Sequence, residues 1–154
     1  MLTTEIIERF RAPLSVVAAT RSAAGRPTFT RGIGVRGEVG ADRVTFFVPE
    51  ITAAPMLADL EGCKEIAVQL ASWADFRSLQ VKGTVVEIRA AGPDAAPLID
   101  DNTGRVVEVI TRVIGAAQGA GWARFVIYPA LAVTVRLREV FEQTPGPSAG
   151  QRLE

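Results

Sequence analysis

The sequence contains no histidine, and Cys63 is its only cysteine. A disulfide within the chain is therefore impossible, and a zinc site built from cysteine and histidine is excluded. A Ser-His-Asp or Cys-His pair would lack its general base, and haem with an axial histidine is excluded too. No carboxylate cluster has EF-hand spacing, so no metal is expected. Cys63 follows a helix-ending glycine and has no activating neighbour in the sequence, which argues against a reactive thiol. Any chemistry points to an organic cofactor rather than to catalytic side chains, and no catalytic residue is assigned.

A charge excess of either sign is missing as well. Lys plus Arg is 17 and Asp plus Glu is 17, for a formal net charge of zero. Nucleic-acid binders and proteins that sit on anionic membranes usually carry a basic excess. No apolar run approaches the roughly 20 residues of a transmembrane helix. Met1 to Glu5 shows neither the basic nor the apolar region of a signal peptide. The expectation is a cytoplasmic protein with no nucleic-acid and no membrane partner. What remains is an ordinary globular composition, 48% hydrophobic and 22% charged over 154 residues, the size of a single domain spanning 1–154.

Leu2, Ile6, Ile7 and Phe10 recur at helical spacing, and Pro13 stops that helix. Residues 14–20 form a β-branched apolar run and read as a first strand. A turn at 21–27 centres on Gly25. A second strand covers 28–36, and a glycine-containing connection leads to a third at 44–48. These three follow through short links and form an antiparallel meander. Thr52 caps a helix reaching Leu60, with Met56, Leu57 and Leu60 on its apolar face. A fourth strand follows at 65–70 and a long fifth at 78–89. A helix runs from Asp94 to Ile114, in one piece or split at Gly104. Residues 115–121 read as a small-residue linker, and a sixth strand covers 124–141, interrupted near Pro129. The tail from about 143 reads as irregular. The expected architecture is mainly β (α+β): a six-stranded, closed or nearly closed antiparallel β-barrel with flanking helices, whose closure removes free sheet edges.

Within the second strand, alternation places Thr30, Gly32 and Gly34 on one face. Such a small-residue stripe either admits a flat ring or relieves crowding in a curved strand. The helix start at Thr52-Ala53-Ala54 either receives a phosphate on its free N–H groups or is simply capped by Thr52. Pro55 removes one of those N–H groups. Lys64 and Lys82 are the only lysines. Arg31, Arg77 and Lys82 either gather around an anion or pair with Glu50, Asp75 and Glu87. Trp122 either covers a ring by stacking or anchors a core or interface. Phe46, Phe47, Trp73, Phe76 and Trp122 exceed what one core obviously uses, which suggests a two-fold interface.

The order of elements carries a resemblance. Its better markers are Gly25-Arg26-Pro27 and Lys82-Gly83-Thr84-Val85. They stand with Thr30-Arg31-Gly32-Ile33-Gly34, Val44 to Pro49, Thr52-Ala53 and Ile66 to Leu70. Over residues 5–142 the chain resembles the pyridoxamine 5′-phosphate oxidase-like family of FMN-binding split barrels. That resemblance makes the barrel a six-stranded antiparallel split β-barrel and implies a homodimer with two FMN sites at the subunit interface. The flavin would lie against Thr30, Arg31, Gly32 and Ile33. Phe47, Val48 and Pro49 would contact the ring and its tail, and Thr52 and Ala53 would receive the phosphate. Ser78 and Gln80 would contribute from the fifth strand, and Trp122 would close the pocket. The chain departs from the family at Thr52-Ala53-Ala54-Pro55, where a lysine or arginine is common. Lys82, Arg31 or Arg77 would have to compensate. The groups expected for a second phosphate are not in place, so pyridoxamine phosphate is not implied as substrate. The expected function is an FMN-dependent oxidoreductase acting on a small molecule. The alternative is a flavin-free split barrel that binds another small ligand or a protein partner.

Overall fold

The computed structural model describes residues 1–153. Its elements, in chain order, are α1 (Thr4–Arg9), β1 (Leu14–Arg21), β2 (Pro27–Gly32), β3 (Gly34–Gly37), β4 (Arg43–Pro49) and α2 (Glu50–Gly62). There follow β5 (Glu65–Ser72), β6 (Ser78–Ala90), α3 (Ala95–Val113), α4 (Ala116–Ala123), β7 (Ala130–Glu142) and β8 (Arg152–Leu153). Thr3 caps α1 by accepting the Ile6 N–H on its hydroxyl. In β1 the inward residues Leu14, Val16, Ala18 and Thr20 alternate with less buried ones, the pattern of a strand with one face on a core.

All strands belong to one antiparallel sheet in the order β2-β1-β5-β6-β7-β4-β3, with β8 added to β7. The path has seven strands rather than six because the expected second strand breaks at Ile33 into β2 and β3. Those two pieces form the opposite ends of the path, so the chain itself closes the barrel. At the break the Ile33 N–H donates to the Phe47 carbonyl at 2.8 Å, bridging β2–β3 to β4. The result is the split barrel with flanking helices expected from the sequence.

Phe46 and Phe47 are both fully buried, on opposite faces of β4. Phe46 joins Val16, Val44, Val48, Met56, Val68, Leu79 and Val81 inside the barrel. Phe47 packs outside it with Ile33, Ala95, Ile99, Ala130 and Ala132 beneath α3. Neither phenylalanine is therefore available to an interface. Asn102 of α3 ties that helix to the barrel: its amide accepts from the Leu14 N–H at 2.9 Å and donates to the Leu14 carbonyl at 3.1 Å.

Four boundaries differ from the sequence reading. Helix α2 starts at Glu50, with Pro49 at its N-cap, so Thr52 lies inside the helix and does not cap it. Helix α3 continues unbroken through the solvent-facing Gly104. The supposed linker is helix α4, where Gly119 lies against α3 so tightly that a Cβ there would strike Thr111. The tail folds back, and Arg152–Leu153 pairs with Val140 and Phe141. Among the described residues, no helix is long and apolar enough to cross a membrane.

Candidate functional site

The outer faces of β2, β1, β5 and β6 form a continuous surface whose rows follow from the register. One row runs Arg31, Val17, Gln69, Gln80, Phe141, and the next runs Phe29, Ala19, Ala67, Lys82, Glu139. Ser15 and Ala71 extend it. Its centre thus carries only small, apolar or amide side chains, although solvent-facing sheets normally alternate to polar residues there. Phe29 at its β2 border is 71% exposed.

Arg31 stands at the β2 edge of this face. Its guanidinium carbon lies 4.6 Å from the Trp122 ring centre and 4.3 Å from that of Phe125. Trp122 meets Trp73 edge-to-face at 5.2 Å and Phe125 edge-to-face at 5.6 Å. Two aromatic rings, from α4 and the segment after it, therefore flank one cation, and Trp73 of the β5–β6 loop packs against Trp122. Within this cluster two buried donors, Arg31 Nη1 and Trp73 Nε1, have no hydrogen-bond partner among the described residues. Among the described residues no carboxylate pairs with Arg31. A buried donor without an acceptor costs about 1–3 kcal/mol, so the cluster is short of an acceptor.

The expected glycine stripe is split by the break at Ile33, with Gly32 facing the barrel interior and Gly34 facing α3 outside it. Thr30 is buried, and a Cβ on Gly32 would sit 2.6 Å from Val16 Cγ1. A Cβ on Gly34 would meet Leu98, Ile99 and Phe47. These glycines admit the protein's own core, not a ring. A flat ligand against β2 meets the opposite face, that of Phe29 and Arg31.

At the start of α2, Thr52 is exposed and its hydroxyl donates to the Pro49 carbonyl, while Ala53 is fully buried. Glu50 supplies a carboxylate to the positive end of the helix, which already answers its dipole. Val48 and Pro49 are buried. Ser78 is buried, with its N–H bonded to Thr144 Oγ1 and its carbonyl to the Gln143 N–H. Gln80 lies on the outer face beside Gln69. Lys82 Nζ sits 4.6 Å from the Phe141 ring. Arg31 and Lys82 are three strands apart, roughly 14 Å at ordinary spacing, and Arg77, in the β5–β6 loop, stands beside Glu5. The three cations do not gather. The structure does bring Arg31 and Trp122 together. The sequence reading had no place for Phe125 in this group, though it follows Trp122 at helical spacing.

No protein-family model matches the sequence, and no curated protein matches it. Solved structures do match in fold. HupZ of Group A Streptococcus superposes with a TM-score of 0.56 at 19% identity, over 97% of this chain and 100% of that one. An F420 reductase gives 0.55 at 16% identity, over 86% and 93%. A pyridoxamine 5′-phosphate oxidase homologue from Lactobacillus delbrueckii gives 0.53 at 16% identity, over 91% and 93%. The chain folds as a pyridoxamine 5′-phosphate oxidase-like split barrel.

In this split barrel the cofactor implied by the resemblance can be tested against the residues present. A phosphate-tailed flavin needs a face for its ring, donors for its acceptor atoms and a cation for its tail. The outer face of β2 fits: it has an aromatic wall, an uncharged floor and two orphaned donors, one of them on a guanidinium. The first turn of α2 does not fit the phosphate, because it offers Glu50 and no cation, whereas Pro55 lies in the second turn and takes no N–H from the helix start.

Proposed function

We propose that this protein binds a flavin-type cofactor, FMN, on the outer face of β2, as a homodimer, and acts as an oxidoreductase on a small molecule. The reading rests on one observation: Arg31 Nη1 and Trp73 Nε1 are buried, unpartnered donors within one aromatic cluster. Its background is the fold shared with an F420 reductase and a pyridoxamine 5′-phosphate oxidase homologue. When bound, the flavin supplies hydride or electron transfer. Arg31 and Trp73 donate to its acceptor atoms, and Trp122 and Phe125 wall the site from water. A second copy packed on the uncharged face around Val17, Ala67 and Gln69 buries that face and covers the site.

FMN titration of the purified protein tests this. Tight binding should quench flavin fluorescence and raise the melting temperature, since a ligand that binds only the native state stabilises it. Arg31→Ala should weaken binding about tenfold or more, the loss expected for one charge-assisted contact. A protein that neither quenches FMN nor gains stability from it overturns the reading.

One observation favours the alternative, a flavin-free binding module: Thr52-Ala53-Ala54-Pro55 holds no cation where the family commonly has one, and the first turn of α2 carries Glu50. Under that reading FMN has no effect, and another acceptor-bearing ligand quenches Trp73 and Trp122 fluorescence.

A further inference from the structure

A cavity lies on the inner side of the sheet, beneath α1 and the β5–β6 loop, with a volume of about 290 Å³. Leu14, Leu70 and Leu79 form its floor, each less than 5% exposed. Its rim carries both signs of charge, and most are spoken for. Glu5 accepts from Arg9 at 3.0 Å, and Asp75 accepts the Arg77 N–H. Arg77 stands 3.9 Å from Glu5. Two rim groups are left over. Among the described residues neither Glu8 nor Arg11 has an ion-pair partner, so the rim retains one free anion and one free cation. Beneath them, Arg9 Nε is buried without an acceptor, although the Nη atoms of the same guanidinium bond Glu142 and Glu5.

An aliphatic floor selects an apolar body. A balanced pair of free charges selects a ligand that carries both signs, because a singly charged ligand leaves one rim group without a counterpart. The orphaned Nε adds a demand for an acceptor atom near the base of the polar layer. We infer that this cavity is a binding site for a small zwitterion with an aliphatic side chain, an aliphatic α-amino acid. Its side chain rests on Leu14, Leu70 and Leu79. Its carboxylate meets Arg11 and the Arg9 Nε–H, and its ammonium meets Glu8. The site shares no lining residue with the Arg31 cluster, although Trp73 belongs to the same β5–β6 loop, and it stands whether or not flavin binds.

Calorimetric titration and thermal-shift measurements on the full chain test this, with L-leucine as the probe. Leucine should bind and raise the melting temperature. Glycine lacks the body, isovalerate the ammonium and isoamylamine the carboxylate, and each should bind about tenfold or more weakly, the loss of one such contact. Ala12→Phe fills the cavity without touching a charge and should abolish leucine binding. Glu8→Gln, on the exposed rim, folds in any case and should erase the preference for leucine over isovalerate. The inference is overturned if leucine gives no heat and no shift at millimolar concentration. It is equally overturned if Glu8→Gln leaves the preference intact or a folded Ala12→Phe binds leucine as the parent does.

Discussion

Arg9 Nη1 donates to Glu142 Oε2 at 2.8 Å, joining α1 to the end of β7 across 133 positions of sequence, with side chains only 12% and 10% exposed. Glu142 also accepts the Thr144 N–H at 2.8 Å. Burial by itself raises the Glu142 carboxyl, but the Thr144 bonds and the Arg9 guanidinium outweigh it and hold the group at about 2, below its ordinary 4.5. The bonds to Glu142 and Glu5 likewise outweigh the burial that lowers Arg9, so its pKa is raised.

The sign of the acid response follows. A depressed carboxyl stabilises the fold above its unfolded value, and that contribution disappears as the pH falls from 4.5 towards about 2. The melting temperature should decline across that window. Glu142→Gln should start lower at neutral pH and show a flatter decline. Parallel curves for the two proteins would contradict the assignment.

Glycines in this barrel divide by what surrounds them. At Gly83, beside the β6–β7 register shift, a Cβ would strike the Arg136 carbonyl, a backbone atom that cannot yield. Gly83→Ala should destabilise by about 3 kcal/mol or more. Gly104 has nothing within 4 Å and lies in the middle of α3. Gly104→Ala should stabilise by about 0.5–1 kcal/mol. Urea unfolding midpoints measure both.

Asn102 satisfies both backbone polar groups of Leu14 in a buried setting. Asn102→Ala strands an N–H and a carbonyl and should lower unfolding stability by about 2–4 kcal/mol, from two orphaned groups. A loss of only a few tenths would show that water replaces the amide.

The uncharged patch in the middle of the outer face, on β1 and β5, offers a direct test of self-association. Ala67 sits at its centre, between Ala19 and Lys82. Ala67→Arg should convert the dimer to a folded monomer in light-scattering chromatography, because an unpaired charge cannot be buried at an interface core. A parent protein that is already monomeric refutes the proposed assembly.

The alternation of β1, β5 and β6 was legible because one face is a core and the other is not. The break at Ile33 was not, since the period of two runs straight through it. It depends on the Phe47 carbonyl, which only the closed barrel brings within reach. Gly32 and Gly34 were legible as a stripe, but a residue without a side chain does not announce which way its face points. Val16, Leu98 and Ile99 decide that. Helix α4 was hidden by Gly115, Gly119 and Gly121, whose weak propensity is overridden by packing on α3. Trp122 was legible as a candidate, but its partners Arg31 and Trp73 come from segments far from it in sequence.

Strand β7 lies between β6 and β4 and hydrogen-bonds to both. A nascent chain that has not yet extended past residue 130 therefore holds two unzipped ladders, one on each neighbour. Closure awaits late translation, and until then those edges are open to chaperones or to neighbouring chains on the same message.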